Sequence, residues 1–194
     1  TAATSSWWLV AASAIPIFAV YRILQTAADR EREADHDPLT GLLNRRGIDR
    51  ALAQHVARGR RYGAEGALLV LDLDGFKKVN DSLGHAAGDE LIVTCARALQ
   101  NRLRETDILG RLGGDEFAVL LPAEGEAEAV IVAEAIVKVI RDETGVTASV
   151  GVTPFGDEPT TTSALDRADM AMYAAKQAGR DRYEFTPGPL PATA

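Results

Sequence analysis

The chain has 194 residues, 46% hydrophobic and 25% charged, with a formal charge of −7. Those proportions suit one globular domain with a few dozen residues to spare; they exclude a disordered chain, a collagen-like repeat or a polytopic membrane bundle within these residues. An acidic balance without a basic run argues against binding nucleic acid, although a few local cations would hold a small anion. The single Cys95 excludes an internal disulfide and points to a reducing compartment. Its neighbours Ile92, Ala96 and Leu99 follow a helical pattern, so a packed core thiol is expected rather than a nucleophile.

From Trp7 to Tyr21 there is no charge, and the apolar stretch runs on to Leu24 broken only by Arg22. Eighteen helical residues at about 1.5 Å each span roughly 27 Å, close to a bilayer's hydrocarbon thickness. The segment 1–24 is therefore expected to be a transmembrane helix, with Trp7 and Trp8 at one interface and Tyr21 and Arg22 at the other. Pro16 is tolerated there as a kink. Two other readings stay open. Ala12-Ser13-Ala14 looks like a signal-peptide cleavage site, although no basic region precedes the apolar run; a helix packed on a partner fits as well. Residues 25–36 alternate in charge and predict a solvated helical linker able to pair with a copy of itself. Arg22, Arg30 and Arg32 put that side of a membrane in the cytoplasm. The lack of an initiator Met suggests the tail of a longer membrane protein.

Between residues 37 and 185 helix and strand patterns alternate. Ile48, Leu52 and Val56 stand four apart and predict a helix over Arg46 to Val56. The unbroken apolar run Ala67 to Leu73 predicts a strand covered on both faces. Gly88 to Arg104 reads as helix. Ile108 to Leu112 and Phe117 to Leu121 read as strands of a hairpin turning at Gly113-Gly114-Asp115-Glu116. Glu126 to Arg141 is a striped helix, and Val146 to Thr153 alternates as a strand. A last helix, Ser163 to Ala178, is expected to be capped by Ser163 and stopped by Gly179. The fold class implied is α+β, a central, mostly antiparallel sheet flanked by helices. Residues 186–194 carry three prolines and no periodicity and read as a disordered tail.

Acidic residues gather where such a sheet would show them at its rim. Asp72 and Asp74 end the buried strand, and Asp115 and Glu116 occupy the hairpin tip. Any one of these is an ordinary turn former. Together, carboxylates on adjacent strand ends can converge on a hard cation such as Mg²⁺, which takes a few carboxylates plus phosphate oxygens and water. The backbone after Asp74 can turn its N–H groups toward phosphate through Gly75, and Lys77 adds a point charge. Lys176 and Arg180 share a face at a helix C-terminus, where the helix dipole favours cations in any case. Asn80 and Asp89 carry the amide and carboxylate that match a guanine edge.

Four blocks then carry a family resemblance: Asp37 to Arg46 (DPLTGLLNRR), Asp72 to Glu90 (DLDGFKKVNDSLGHAAGDE), Arg111 to Phe117 (RLGGDEF) and Ala168 to Arg180 (ADMAMYAAKQAGR). In order and spacing they resemble the GGDEF family of diguanylate cyclases, which join two GTP into cyclic di-GMP and two pyrophosphates. The resemblance covers roughly residues 35 to 185 and implies the nucleotidyl-cyclase-like GGDEF fold. It implies two Mg²⁺ per active site, with Mn²⁺ able to substitute, held by Asp72, the Leu73 carbonyl and Asp115. Asp115 would also help deprotonate the attacking 3′-hydroxyl, Glu116 would support the acidic cluster, and Lys77 would stabilise charge at the reacting phosphorus. Gly75, Phe76 and Lys77 would hold phosphates, Asn80 and Asp89 would read guanine with His85 alongside, and Lys176 and Arg180 would clamp the terminal phosphates. The departures are mild: Asp181 stands where Asn is frequent, and a small Gly75 follows Asp74.

The resemblance further implies an active homodimer and an inhibitory product site at Arg104 and Asp107, an RxxD pair six residues before Gly113. On the four letters alone an Arg and an Asp at a helix end only cap and solvate it. With the membrane segment, it implies a place at the bacterial inner membrane with the catalytic domain in the cytoplasm. Two rivals remain: a catalytically inactive module that binds GTP or cyclic di-GMP, which the intact acidic turn disfavours, and a cyclase of relaxed purine choice.

Overall fold

The computed structural model describes residues 18, 20–22, 34–63, 65–122, 125–155 and 161–187. Residues 18 and 20–22 are helical and exposed. Most of the proposed membrane span, nearly all of the charged linker and residues 188–194 lie outside the described residues. Among the described residues no helix is long and apolar enough to cross a membrane.

The apolar run after Gly66 forms the middle strand, β1 (Gly66–Asp74). It is flanked by β3 (Glu116–Pro122) and β4 (Thr147–Phe155), both antiparallel to it. Outside β3 lies its hairpin partner β2 (Ile108–Gly113), and outside β4 lies β5 (Arg182–Phe185). The order is β2-β3-β1-β4-β5, and only β4–β5 is parallel. The sheet is mostly antiparallel, as expected, and the single parallel pair at one edge makes it a mixed one. The parallel pair needs a crossover, which α5 (Thr161–Gln177) provides.

Two helices cover each face. On one side α3 (His85–Arg102) and α4 (Glu126–Thr144) bury Ile92, Cys95, Leu99, Ile136 and Ile140 against Leu69, Leu71, Phe117 and Val150. On the other, α1 (Arg45–Tyr62) and α5 bury Ile48, Leu52, Ala168 and Met172 against Leu68, Val70, Ala118 and Leu120. Asn44 starts α1, its side chain accepting from the Gly47 N–H at 3.1 Å. Cys95 is fully buried, and burial pushes its thiol up to about 12, as a packed core thiol should behave.

Several boundaries differ from expectation. The last helix starts at Thr161, so Ser163 sits inside its first turn and is not its cap; its carbonyl accepts from Arg167. The helix expected over Gly88 to Arg104 runs from His85 to Arg102, leaving Arg104 beyond its end. The eight-residue α2 (Phe76–Leu83) and the strand β5 were not expected. None of the α2 residues is fully buried, and its apolar stripe of Phe76, Val79 and Leu83 spans only two turns, too short to stand out beside the longer helices. β4 alternates as expected yet is covered on both faces: Ser149 and Thr153 are fully buried.

Candidate active site

Side chains alternate along a strand, so Asp72 and Asp74 continue the row of Leu68 and Val70 on the α1/α5 face. Directly across from Asp72 stand Glu116 on β3 and Ser149 on β4. The apolar face therefore turns polar at the last turn of α5. There Lys176 pairs with Asp72, Nζ to Oδ2 at 2.8 Å.

The hairpin tip closes the site. Gly113 and Glu116 are the last pair of the β2–β3 ladder, which leaves Gly114-Asp115 as a two-residue loop. Burial, followed by the nearby Asp72 charge, raises the Asp115 carboxyl above its ordinary 3.8. Glu116 is raised from 4.5 by burial and then by Asp72, with Asp169 and Asp115 adding to it and Lys176 opposing. The Leu73 N–H donates to the Asp115 carbonyl at 3.3 Å. In an extended strand the N–H and C=O of one residue point to the same side, so the Leu73 carbonyl also faces the hairpin tip.

Asp72, Asp115, Glu116 and the Leu73 carbonyl are a hard oxygen donor set of the kind Mg²⁺ takes. Among the described residues no three His, Cys, Asp or Glu side chains stand close enough to hold a metal ion.

Beyond Asp74 the chain turns at Gly75, whose φ of +78° is strained for any residue with a Cβ, and enters α2. The N–H groups of Phe76 and Lys77 lie in the first turn, where no helical carbonyl reaches them and the dipole is positive. Lys77 is exposed beside them. One turn on, Asn80 lies against the start of α3: a Cβ on Gly88 would overlap Asn80 Oδ1 and press on the Phe76 ring. Gly88 is thus the close approach that lets Asn80 lie on the first turn of α3, the helix that carries the exposed His85 and Asp89.

Asp74 does not behave as the cation ligand its position suggested. Its side chain is only 6% exposed. It accepts from Thr147 Oγ1 at 2.7 Å, Ser149 Oγ at 2.8 Å and the Asp181 N–H at 3.2 Å. Those donors satisfy a carboxylate that burial would otherwise penalise, and they leave it no face for a metal.

Two groups at the site were not singled out in the sequence. Arg111 donates to the Gly114 carbonyl through Nε at 3.0 Å and Nη2 at 2.8 Å, while its Nη1 pairs with Asp37 at 3.2 Å. This fork ties the tip to the loop before α1. Burial opposes the Asp37 charge, but the Thr40 hydroxyl and N–H and the Arg111 guanidinium outweigh it and hold the carboxyl below 3.8. Asp169 on α5 acts on Glu116 by its charge. Both residues lie inside quoted motif blocks, but their partners are distant in sequence.

Arg104 and Asp107 lie apart from this cluster. Asp107 Oδ2 accepts from the Arg104 N–H at 2.9 Å, and the Asp107 N–H returns to the Arg104 carbonyl at 3.0 Å. The turn borders a groove of about 330 Å³ that also touches Leu42, Leu103 and Leu109. The pair therefore closes its own turn just beyond α3 rather than capping the helix, whose last turn is closed by the Leu103 N–H on the Leu99 carbonyl.

The family model described as "Diguanylate cyclase, GGDEF domain" matches residues 34–182. The chain is 41% identical over 164 residues to the diguanylate cyclase DgcP of Pseudomonas aeruginosa, covering 80% of this chain and 24% of that protein. It is 37% identical to the probable diguanylate cyclase DgcC of Escherichia coli, covering 92% and 53%. It therefore spans between a quarter and about half of these relatives' lengths. Among solved structures, the coiled coil and GGDEF domain of DgcB from Caulobacter crescentus in complex with cyclic di-GMP superposes with a TM-score of 0.81 at 30% identity, covering 93% of this chain and 99% of that one. Diguanylate cyclase SiaD of Pseudomonas aeruginosa, solved with its activator SiaC, gives 0.77 at 38% identity, covering 93% and 72%.

Proposed function

The chain belongs to the GGDEF family, and we propose that it is a diguanylate cyclase condensing two GTP into cyclic di-GMP with release of two pyrophosphates. The observation that carries this reading is the meeting of Asp72, Asp115 and Glu116 with Lys176 beside the N-terminus of α2. Phosphoryl transfer asks mainly for positioning and charge stabilisation, and this arrangement offers both.

Asp72, the Leu73 carbonyl and Asp115 would hold Mg²⁺, two ions per site with Mn²⁺ able to replace them; when bound, the metal neutralises phosphate charge and polarises the reacting phosphorus. The chain's own residues do the rest. The first-turn N–H groups of Phe76 and Lys77, reached through Gly75, cradle phosphate oxygens, and Lys77 adds its charge. Lys176 and Arg180 take the terminal phosphates. Asp115, at the hairpin tip beside the metal it would hold, would accept the proton of the 3′-hydroxyl. Glu116 keeps the tip acidic. Asn80 and Asp89 read the guanine edge with His85 alongside; a carboxylate facing adenine N1 would meet another acceptor, which favours GTP over ATP.

One domain positions one GTP, whereas the product carries two identical linkages. Two domains must therefore face each other about a two-fold axis as a homodimer. The charged linker over residues 25–36 would raise the partner's local concentration by pairing with its copy, and a membrane span over 1–24 would hold the catalytic domain on the cytoplasmic side of the bacterial inner membrane. Product bound at Arg104 and Asp107 would restrain the rate by holding two domains apart. Arg104→Ala should then accumulate more product at an unchanged initial rate.

Incubating the chain with GTP and Mg²⁺ tests the proposal. The expected result is cyclic di-GMP, one pyrophosphate per GTP consumed, and a specific activity that falls on dilution. Bound GTP without product would make the chain an inactive binding module instead.

A further inference from the structure

Arg180 does not share a helix face with Lys176 as their spacing suggested: α5 ends at Gln177, and the loop to β5 holds Arg180 and Asp181 at φ values of +64° and +54°. Neither residue is glycine, so the left-handed conformation is unfavourable at both and must be imposed by contacts. Three contacts impose it. The Arg180 N–H donates to the Ala175 carbonyl at 3.0 Å, closing the helix end. The Asp181 carboxylate is gripped by Arg141 of α4, Nη2 to Oδ1 at 2.6 Å. The Asp181 N–H donates to the buried Asp74 carboxylate, against which the Arg180 guanidinium also leans, Nε to Oδ1 at 3.8 Å. The Arg180 side chain as a whole is 60% exposed.

We infer that Asp74 is a positioning residue for phosphate binding: anchored by Thr147 and Ser149, it fixes the Arg180–Asp181 loop so that the guanidinium stands ready for a terminal phosphate. The inference rests on the reading of Arg180 as a phosphate clamp given above. A sealed carboxylate suits this task because it neutralises one edge of the guanidinium while leaving the terminal N–H groups to the ligand. It also separates the two aspartates of β1 by role. Asp72 faces the reaction, and Asp74 faces the loop.

The test measures affinity for 3′-deoxy-GTP, which lacks the attacking hydroxyl, and for GMP, which lacks the terminal phosphates, with Mg²⁺ present. Arg180→Ala should weaken the triphosphate and spare GMP. Asp74→Asn should do the same, by about 3–10-fold on the triphosphate, less than a direct charged hydrogen bond because Asp74 acts through the loop. Added to Arg180→Ala, it should weaken the triphosphate less than about two-fold further, because the two act through one contact. Hydrogen exchange at the Asp181 N–H should quicken in Asp74→Asn. If Asp74→Asn is too unstable to assay, Ser149→Ala, which removes one donor to the same carboxylate, should shift triphosphate affinity in the same direction.

Asp74→Asn, or failing that Ser149→Ala, with wild-type triphosphate affinity while Arg180→Ala is weakened overturns the inference and leaves the clamp reading standing. Equal loss on GMP and triphosphate, or full additivity with Arg180→Ala, also overturns it. An Arg180→Ala protein with unchanged triphosphate affinity overturns the clamp reading and the inference together.

Discussion

The two faces of the sheet use the same strands in opposite ways. On the α3/α4 face Leu69, Leu71 and Leu73 run apolar to the end of β1, and each is almost wholly buried. On the α1/α5 face Leu68 and Val70 give way to Asp72 and Asp74. One face is committed to stability over its whole length. The other is stable below and charged above, and the candidate active site lies where it changes. A strand can therefore hold a domain together and present its chemistry within nine residues, because its period of two keeps the two faces independent.

The sharpest way to break this comparison is to remove charge at the rim. Asp115→Asn should lower turnover on the order of 100-fold or more while the domain stays folded by circular dichroism. A folded variant with near-normal turnover would deny the rim its catalytic role. Next is the support of the tip. Arg111→Ala strips donors from Asp37 and the Gly114 carbonyl, and a hairpin displaced by a fraction of an ångström should cost about 10–100-fold in kcat. It should also cost about 1–3 kcal/mol in urea unfolding, the scale of a polar group left without its partner.

The opposite face should respond in stability alone. Ile136 is fully buried, and Ile136→Ala should cost about 2–5 kcal/mol. Its nucleotide affinity, measured well below the melting temperature, should match the wild type. Selective loss of GTP binding there would blur the division between the faces.

The smallest effect is a pH dependence with opposite signs at two carboxylates. Asp115 is raised above 3.8, so the folded state holds its proton more tightly than the unfolded chain, and its contribution to stability is lost as pH rises through the folded value. Asp115→Asn should therefore raise Tm at pH 7 in metal-free buffer, and the gain should vanish below pH 3.8. Asp37 is held below 3.8, so its contribution is present above that pH and fades as pH falls through the folded value. The effect of Asp37→Asn on Tm should accordingly be a loss at pH 7 that shrinks in acid.

Much of this division was legible in the sequence. An apolar run of strand length gave β1, and the Gly-Gly turn gave the hairpin, because both signals are local. What escaped depends on distant partners or on weak local contrast. Helix α2 is only eight residues long, and β5 is a four-residue parallel edge. The run Thr160 to Ser163 offers four hydroxyls in succession, each a plausible cap, and the helix begins at Thr161. Asp72 and Asp74 look alike in sequence; what seals one is a set of donors 73 to 107 residues away. Arg111 reads as one more letter of a motif until its partner Asp37, 74 residues earlier, is seen beside it.

A crystal structure of the chain with 3′-deoxy-GTP and Mg²⁺ tests this division of the sheet most directly. The triphosphate should lie at the N-terminus of α2 between Lys77, Lys176 and Arg180, with metal on Asp72, the Leu73 carbonyl and Asp115. The guanine should sit between Asn80 and Asp89. A nucleotide bound elsewhere, with Lys176 still on Asp72 and no metal at the hairpin tip, would contradict it.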